Sequence, residues 1–284
     1  MIAIIGMGAV GTYLAYTLLD SGQKVVSLDY RYTSSELLTS EIHQDQDFSS
    51  ITYERICSLY PETKLIIVCC KNMNIEHKLI NKLIDTGLPT LFIQNGVSKF
   101  SQLTLISQEF YFGTLSGIEL RHENKVLISV PSNPCLSYYS QRPDLISLFE
   151  SLSGTTLLFQ NASSPYDPLT KKFPRWFISS ALMMISKGPI GVAKSRVPLE
   201  EIHEACQEIS TYIDLLFGIR INANEIIEEV FRLPESLTTS AFRDYKDNKS
   251  NEWAIEWAAA VETLSSKNLS NRTLRIWGDR ILNV

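Results

Sequence analysis

Ile2-Ala3-Ile4-Ile5-Gly6-Met7-Gly8-Ala9-Val10-Gly11 is the stretch that decides the fold. Four consecutive apolar residues with no polar residue between them suit a strand covered on both faces. Three glycines follow as G-x-G-x-x-G, then Tyr13 to Leu19 carry apolar residues at helical spacing, and Lys24 to Leu28 make a second apolar run. The order is strand, tight turn, helix, strand, which is the context this glycine pattern needs to mean dinucleotide binding. Each glycine then has a physical task. Gly6 permits the tight turn, Gly8 lets the backbone approach a pyrophosphate, and Gly11 lets helix and strand pack closely, while the helix N-terminus attracts phosphate charge. Gly6, Met7, Gly8, Ala9, Val10 and Gly11 are therefore the candidate cofactor-binding turn of a Rossmann-type domain for a nicotinamide dinucleotide. Asp29 closes the second strand near where an acidic residue would bond the adenosine ribose of NAD. Arg31 could instead meet the 2′-phosphate of NADP. The residues leave both coenzymes open.

Outward from that unit, Leu65 to Cys70 (LIIVCC) and Thr90 to Ile93 (TLFI) are two more buried-strand candidates, each ending on polar residues. Ligands of open α/β sheets gather at the carboxyl ends of strands, which singles out Lys71 and Asn95. By default Asn95-Gly96 is a turn that uses their tolerance of positive φ, and Lys71 a solvated strand end. Position is what raises both. Phe110 to Ser116, Lys125 to Val130 and Thr155 to Gln160 read as further strands, whereas the chain after about Asp167 reads as helix. The Ser-, Pro- and Asn-rich Asn161 to Thr170 is the junction. The expected class is α/β, with a parallel-sheet Rossmann domain over 1–165 and an all-helical substrate and catalytic domain over 166–284. Pro198 to Phe217 and Asn222 to Phe231 look like amphipathic helices, with Gly218 as a stop.

Bulk properties narrow the partners. The 284 residues are 44% hydrophobic and 20% charged, with a formal net charge of -5. No basic surface is implied that would neutralise a polynucleotide. No apolar stretch approaches the ~20 residues of a membrane-spanning helix, and a strand begins at Ile2 where a leader would lie, so a cytoplasmic protein is expected. The five cysteines (Cys57, Cys69, Cys70, Cys135 and Cys206) lack metal-ligand spacing and are expected to be reduced core thiols. No metal is implied. The four histidines, His43, His77, His122 and His203, have no clear partner in the sequence.

Taken in order, these residues resemble the ketopantoate reductase (2-dehydropantoate 2-reductase) family. The likeness rests on GMGAVG, on Lys71 after its strand, on Gln94-Asn95-Gly96, on Gly113-Thr114, and on S-x-x-x-D-x7-E formed by Ser240, Asp244 and Glu252. The resemblance implies NADPH-dependent reduction of a small 2-keto acid, 2-dehydropantoate to pantoate in pantothenate biosynthesis. It implies that Asn95 contacts cofactor and substrate, that Ser240 binds the substrate's polar end, that Glu252 orients substrate or cofactor, and that Lys71 stands near the nicotinamide. The family's lysine acid falls, by position, on Arg175, and its asparagine on Ser179. Arginine stabilises an oxyanion but is a very poor proton donor. Lys172 and Lys71 are the two ammonium groups that could replace it. Two other readings stay open: a dinucleotide-binding regulator without turnover, and a reductase of another keto acid. A homodimer is a further candidate, although no self-complementary patch is evident.

Overall fold

The four residues Ile2–Ile5 (β1) are all buried and pair in parallel on both sides, with Val25–Leu28 (β2) and with Leu65–Val68 (β5). A strand flanked on both edges and covered on both faces has no place for a polar side chain, which is why β1, β2 and β5 are short and nearly all apolar. The computed structural model describes residues 1–28, 39–40, 52–54, 61–71, 75–100, 103, 106–123, 126–153 and 157–282. Asp29, Arg31, His43 and Cys57 lie outside them.

From Thr52–Glu54 (β4) the parallel sheet runs β4-β2-β1-β5, then Thr90–Ile93 (β6) and Phe110–Glu123 (β7). In order of succession this is the doubly wound arrangement in which strand order reverses beside β1. The helix Ala9–Asp20 (α1) buries Leu14, Ala15 and Leu18 against the sheet, and His77–Thr86 (α2) buries Leu79, Ile80 and Leu83. The sheet continues past β7 by an antiparallel partner, Val126–Tyr138 (β8), which pairs with Leu158–Asn161 (β9) and Thr39–Ser40 (β3). Tyr138, Phe149 and Phe159 stack beneath it, with successive centroids 4.2 and 5.6 Å apart, tying the helix Pro143–Leu152 (α3) to β8 and β9.

The β7–β8 ribbon is longer than the residues suggest. The sequence places the strand ends at Ser116 and Val130, with turn residues between strands. In the structure Gly117 (φ 69°) and Asn133 (φ 59°) take up positive φ beside a register shift between Ser116 and Ile118, so the irregularity is absorbed as a bulge. The thiols also differ from expectation in part. Cys206 is buried, but Cys69, Cys70 and Cys135 are only partly so.

The chain divides into two compact units, residues 1–94 with 102–168, and residues 95–101 with 169–284. All nine strands among the described residues belong to the first. The second is helical: Asp167–Ser186 (α4), from Leu169 onward, is followed by Ile190–Arg196 (α5), Leu199–Phe217 (α6), Ala223–Phe231 (α7), Ser240–Lys246 (α8), Glu252–Ser266 (α9) and Arg272–Leu282 (α10). Gly218 ends α6 at φ 66°, as its sequence position suggested. Aromatic contacts hold α4 to its neighbours: Phe173 meets Tyr212 of α6 at 6.2 Å, and Phe177 meets Trp253 of α9 at 5.1 Å. Each such buried ring contributes roughly 1.5–3 kcal/mol through burial alone. Among the described residues no single helix is long and apolar enough to cross a membrane.

Candidate functional site

In the first unit the glycine turn can be tested residue by residue against its own packing. Gly6 holds φ 93°, and a Cβ there would lie 2.6 Å from the Cys70 amide nitrogen, so glycine is required where β1 ends beside β5. A Cβ on Gly11 would overlap the Gly6 carbonyl oxygen. Gly8 differs from both. It is exposed, its φ of -75° suits any residue, and a Cβ there would touch nothing within 4 Å. The protein's own atoms explain Gly6 and Gly11 but not Gly8. A backbone kept bare on its outer side fits a group that must approach it closely, and the pyrophosphate of a dinucleotide is such a group. Gly8 is also the N-cap of α1, which has no side-chain cap and no acidic residue in its first turn. Its amide dipoles are left to an external anion. Met7, Ala9 and Val10 pack partly against the core beneath the turn.

Two further groups flank this turn within the same unit. Lys71 is half-buried, directly after Cys70 at the end of β5. Gln94, the first residue of the Gln94-Asn95-Gly96 motif, is 7% exposed; its Nε2 donates to the Cys70 carbonyl at 3.0 Å, whereas its buried Oε1 makes no hydrogen bond. An amide that follows the apolar run TLFI was the available signal. Burial and the Cys70 thiol push the Cys69 thiol well above its ordinary range, so it is no nucleophile near neutral pH.

The second unit begins its contribution at Asn95. Asn95 is half-buried and Gly96 is buried, with no positive φ. The glycine is needed for another reason: a Cβ on residue 96 would lie 2.5 Å from the carboxyl carbon of Glu256. That carboxylate, fully buried on α9, accepts from the backbone N–H of Val97 and of Ser98, each at 3.0 Å, and from the Ser98 hydroxyl at 2.7 Å. It thus ties the segment 95–101 to the helical unit. Residue patterning gave no hint of this, because an acid in the middle of an apolar helix looks like a solvated position.

One turn before Glu256, Glu252 is the first residue of α9 and 6% exposed; the preceding Asn251 caps the helix through a bond from Trp253 N at 2.9 Å. An acid in this first turn is favoured by the helix dipole. Its charge acts on Lys172, in the first half of α4. Lys172 as a residue keeps some exposure, but its ammonium is desolvated, and burial together with the Arg175 guanidinium lowers its pKa to about 8 while Glu252 pulls it upward. Lys172, Arg175 and Glu252 therefore form one electrostatic cluster. Burial and the neighbouring guanidinium thus bring the Lys172 ammonium toward the neutral range.

The other expected substrate contacts are less alike. Ser179 is 1% exposed and its hydroxyl donates to the Trp176 carbonyl at 3.3 Å. Ser240 is exposed at the start of α8, and Asp244 is half-buried in the same helix. Ser180, next to Ser179, bonds Thr239, the residue that caps α8. Among the described residues no group of three or more His, Cys, Asp or Glu side chains is gathered as a metal ion would need.

A sheet of this order with a bare glycine turn at the end of its first strand, followed in the chain by an all-helical unit, defines the Rossmann class of two-unit nucleotide-binding proteins. Within that class the chain resembles the ketopantoate reductases, as its motifs implied: residues 2–130 match the family model described as ketopantoate reductase PanE/ApbA. Solved structures extend the likeness over the whole chain. D-mandelate dehydrogenase in complex with NADH and anilino(oxo)acetate superposes with a TM-score of 0.82 at 13% identity, covering 100% of this chain and 98% of that one. The probable 2-dehydropantoate 2-reductase PanE of Bacillus subtilis gives 0.77 at 16%, covering 99% of each, and the dimeric ketopantoate reductase of Staphylococcus aureus 0.76 at 14%, covering 99% and 97%. At such identities the likeness is one of fold. No curated protein sequence matches the chain.

Proposed function

We propose that this protein is an NAD(P)H-dependent reductase of a small 2-keto acid, with 2-dehydropantoate and NADPH as its reactants. The observation that carries the reading is the cluster of Lys172 with Arg175 and Glu252, in which burial and the guanidinium push the ammonium down to about 8 against the pull of the carboxylate. A regulator that only bound a dinucleotide would have no use for such a group. A ketone that accepts hydride does, because negative charge builds on its oxygen and a proton must arrive there. The family match over 2–130 and the likeness to a D-mandelate dehydrogenase solved with NADH and anilino(oxo)acetate support the same chemistry.

When bound, the reduced nicotinamide supplies the hydride to the carbonyl carbon. The chain's own part is binding and proton supply. The turn Gly6–Gly11 receives the pyrophosphate, with Lys71 and Asn95 near the nicotinamide and Arg31 as the candidate contact for a 2′-phosphate. Arg175 binds the substrate carboxylate with its planar fork. Lys172 Nζ holds the proton that passes to the keto oxygen, leaving a neutral amine that solvent reprotonates and a 2-hydroxy acid as product. Glu252 favours the charged form of Lys172 and so keeps it loaded near pH 7. Ser240 and Ser179 are the remaining candidates for substrate contacts.

The test is loss of NADPH or NADH absorbance with a panel of 2-keto acids, including 2-dehydropantoate, benzoylformate and pyruvate. Turnover of 2-dehydropantoate with preference for NADPH is expected. Tight binding of the coenzyme with no turnover on any keto acid would make the protein a binder, and no binding of either coenzyme would remove the Rossmann reading as well.

A further inference from the structure

The protein has four tryptophans, and three of their indole N–H groups have acceptors. Trp253 donates to the Phe177 carbonyl at 3.0 Å, Trp257 to the Leu274 carbonyl at 2.6 Å, and Trp277 to the Glu201 carboxylate at 2.5 Å. Trp176 differs. It is 7% exposed, its Nε1 is buried, and that N–H makes no hydrogen bond. Its ring lies against Phe173 with centroids 6.1 Å apart, a contact that phenylalanine would make without bringing a donor into the core. Buried indoles usually find a partner, and a donor without one is a cost the fold does not need here.

Position on α4 says what the donor is for. Trp176 follows Arg175 directly and lies one helical turn after Lys172, so Lys172 neighbours both residues on the helix surface, at i+3 and i+4. The next polar side chains along α4 are engaged: Ser179 donates to the Trp176 carbonyl and Ser180 to the Thr239 hydroxyl. We infer that the Trp176 N–H is a substrate donor, bonding the carboxylate of the 2-keto acid alongside the Arg175 guanidinium. A carboxylate has about four lone-pair positions, more than one guanidinium fills, and out of bulk water each needs a donor. With Lys172 given to the keto oxygen, the indole is a donor next to Arg175 in the chain whose N–H has no acceptor within the protein. The inference rests on the keto-acid reductase reading and adds a specificity residue to it.

The experiment compares the wild type with Trp176→Phe, which removes the N–H and keeps an aromatic ring. KM for the keto acid is expected to rise by about tenfold to a hundredfold, as for loss of a hydrogen bond to a charged group, with kcat within about threefold and NADPH affinity unchanged. In protein carrying 15N-labelled indoles and saturated with NADP+, oxamate should move the Trp176 resonance, identified by its loss in the variant, and leave the other three in place. If the wild type turns over a keto acid while Trp176→Phe keeps its KM and oxamate leaves that resonance unmoved, the donor role is overturned and the reductase reading stands. A lowered Tm with unchanged KM would show packing only and overturns it equally. If the wild type reduces no keto acid, both fall together.

Discussion

Replacing Gly96 by alanine tests how the segment 95–101 is held, and its cost can be worked from the structure. The added Cβ would lie 2.5 Å from the Glu256 carboxyl carbon, where ordinary van der Waals contact needs about 3.5 Å or more. The carboxylate must retreat by roughly 1 Å, and its bonds of 3.0, 3.0 and 2.7 Å then stretch beyond hydrogen-bond reach. A fully buried carboxylate that loses its donors costs about 3–5 kcal/mol. All four tryptophans lie in residues 169–284, so tryptophan fluorescence in a urea titration reports this unit alone. Gly96→Ala should lower its unfolding free energy by about 3–5 kcal/mol. Glu256→Gln, which can still accept from both backbone N–H groups and donate to Ser98, should lose only about 1–2 kcal/mol. The double change Gly96→Ala with Glu256→Ala should cost no more than Glu256→Ala alone, because the collision is gone. Additive losses in that cycle, or a Gly96→Ala protein within about 0.5 kcal/mol of wild type, would refute the reasoning.

Three further outcomes are expected. Gly8→Ala should leave Tm nearly unchanged, since its Cβ meets no protein atom, yet weaken NADPH binding at least about tenfold; Gly11→Ala, which collides with the Gly6 carbonyl, should destabilise the fold itself, and calorimetry with coenzyme titration separates the two. Glu252→Gln removes the charge that raises Lys172, so the alkaline fall of kcat should move to lower pH, with turnover hurt far more than coenzyme affinity. Arg175→Leu removes a charge that lowers Lys172, so the same limb should move to higher pH while KM for the keto acid rises; a limb that stayed in place in both variants would exclude Lys172 as its source.

Much of this was legible in the sequence, and the reasons are local. β1, the glycine turn, α1 and β2 follow from a run of apolar residues and three glycines whose tasks are set within a dozen positions of chain. The β7–β8 ribbon was cut short because a bulge and two positive φ values are bought with residues that also make turns. Gly96 was read as a turn glycine, but its need comes from Glu256, a partner far along the chain that no spacing rule connects to it. Lys172 and Arg175 show the same limit. Position in a motif pointed to Arg175 as the lysine's replacement, whereas desolvation, a property of the packed α4, is what lowers the Lys172 ammonium. The indole of Trp176 was invisible for the opposite reason: its signal is a missing bond, which only packing reveals.

The central claim is that Lys172 gives the proton, and the pH dependence of keto-acid reduction tests it most directly. For the wild type, kcat/KM should hold near neutral pH and fall as pH rises through about 8, because the charged ammonium is the active form. Lys172→Met should bind NADPH as before and lose turnover by about a hundredfold or more. Activity that stays level well above pH 9, or a Lys172→Met protein that keeps most of its turnover, would contradict the account.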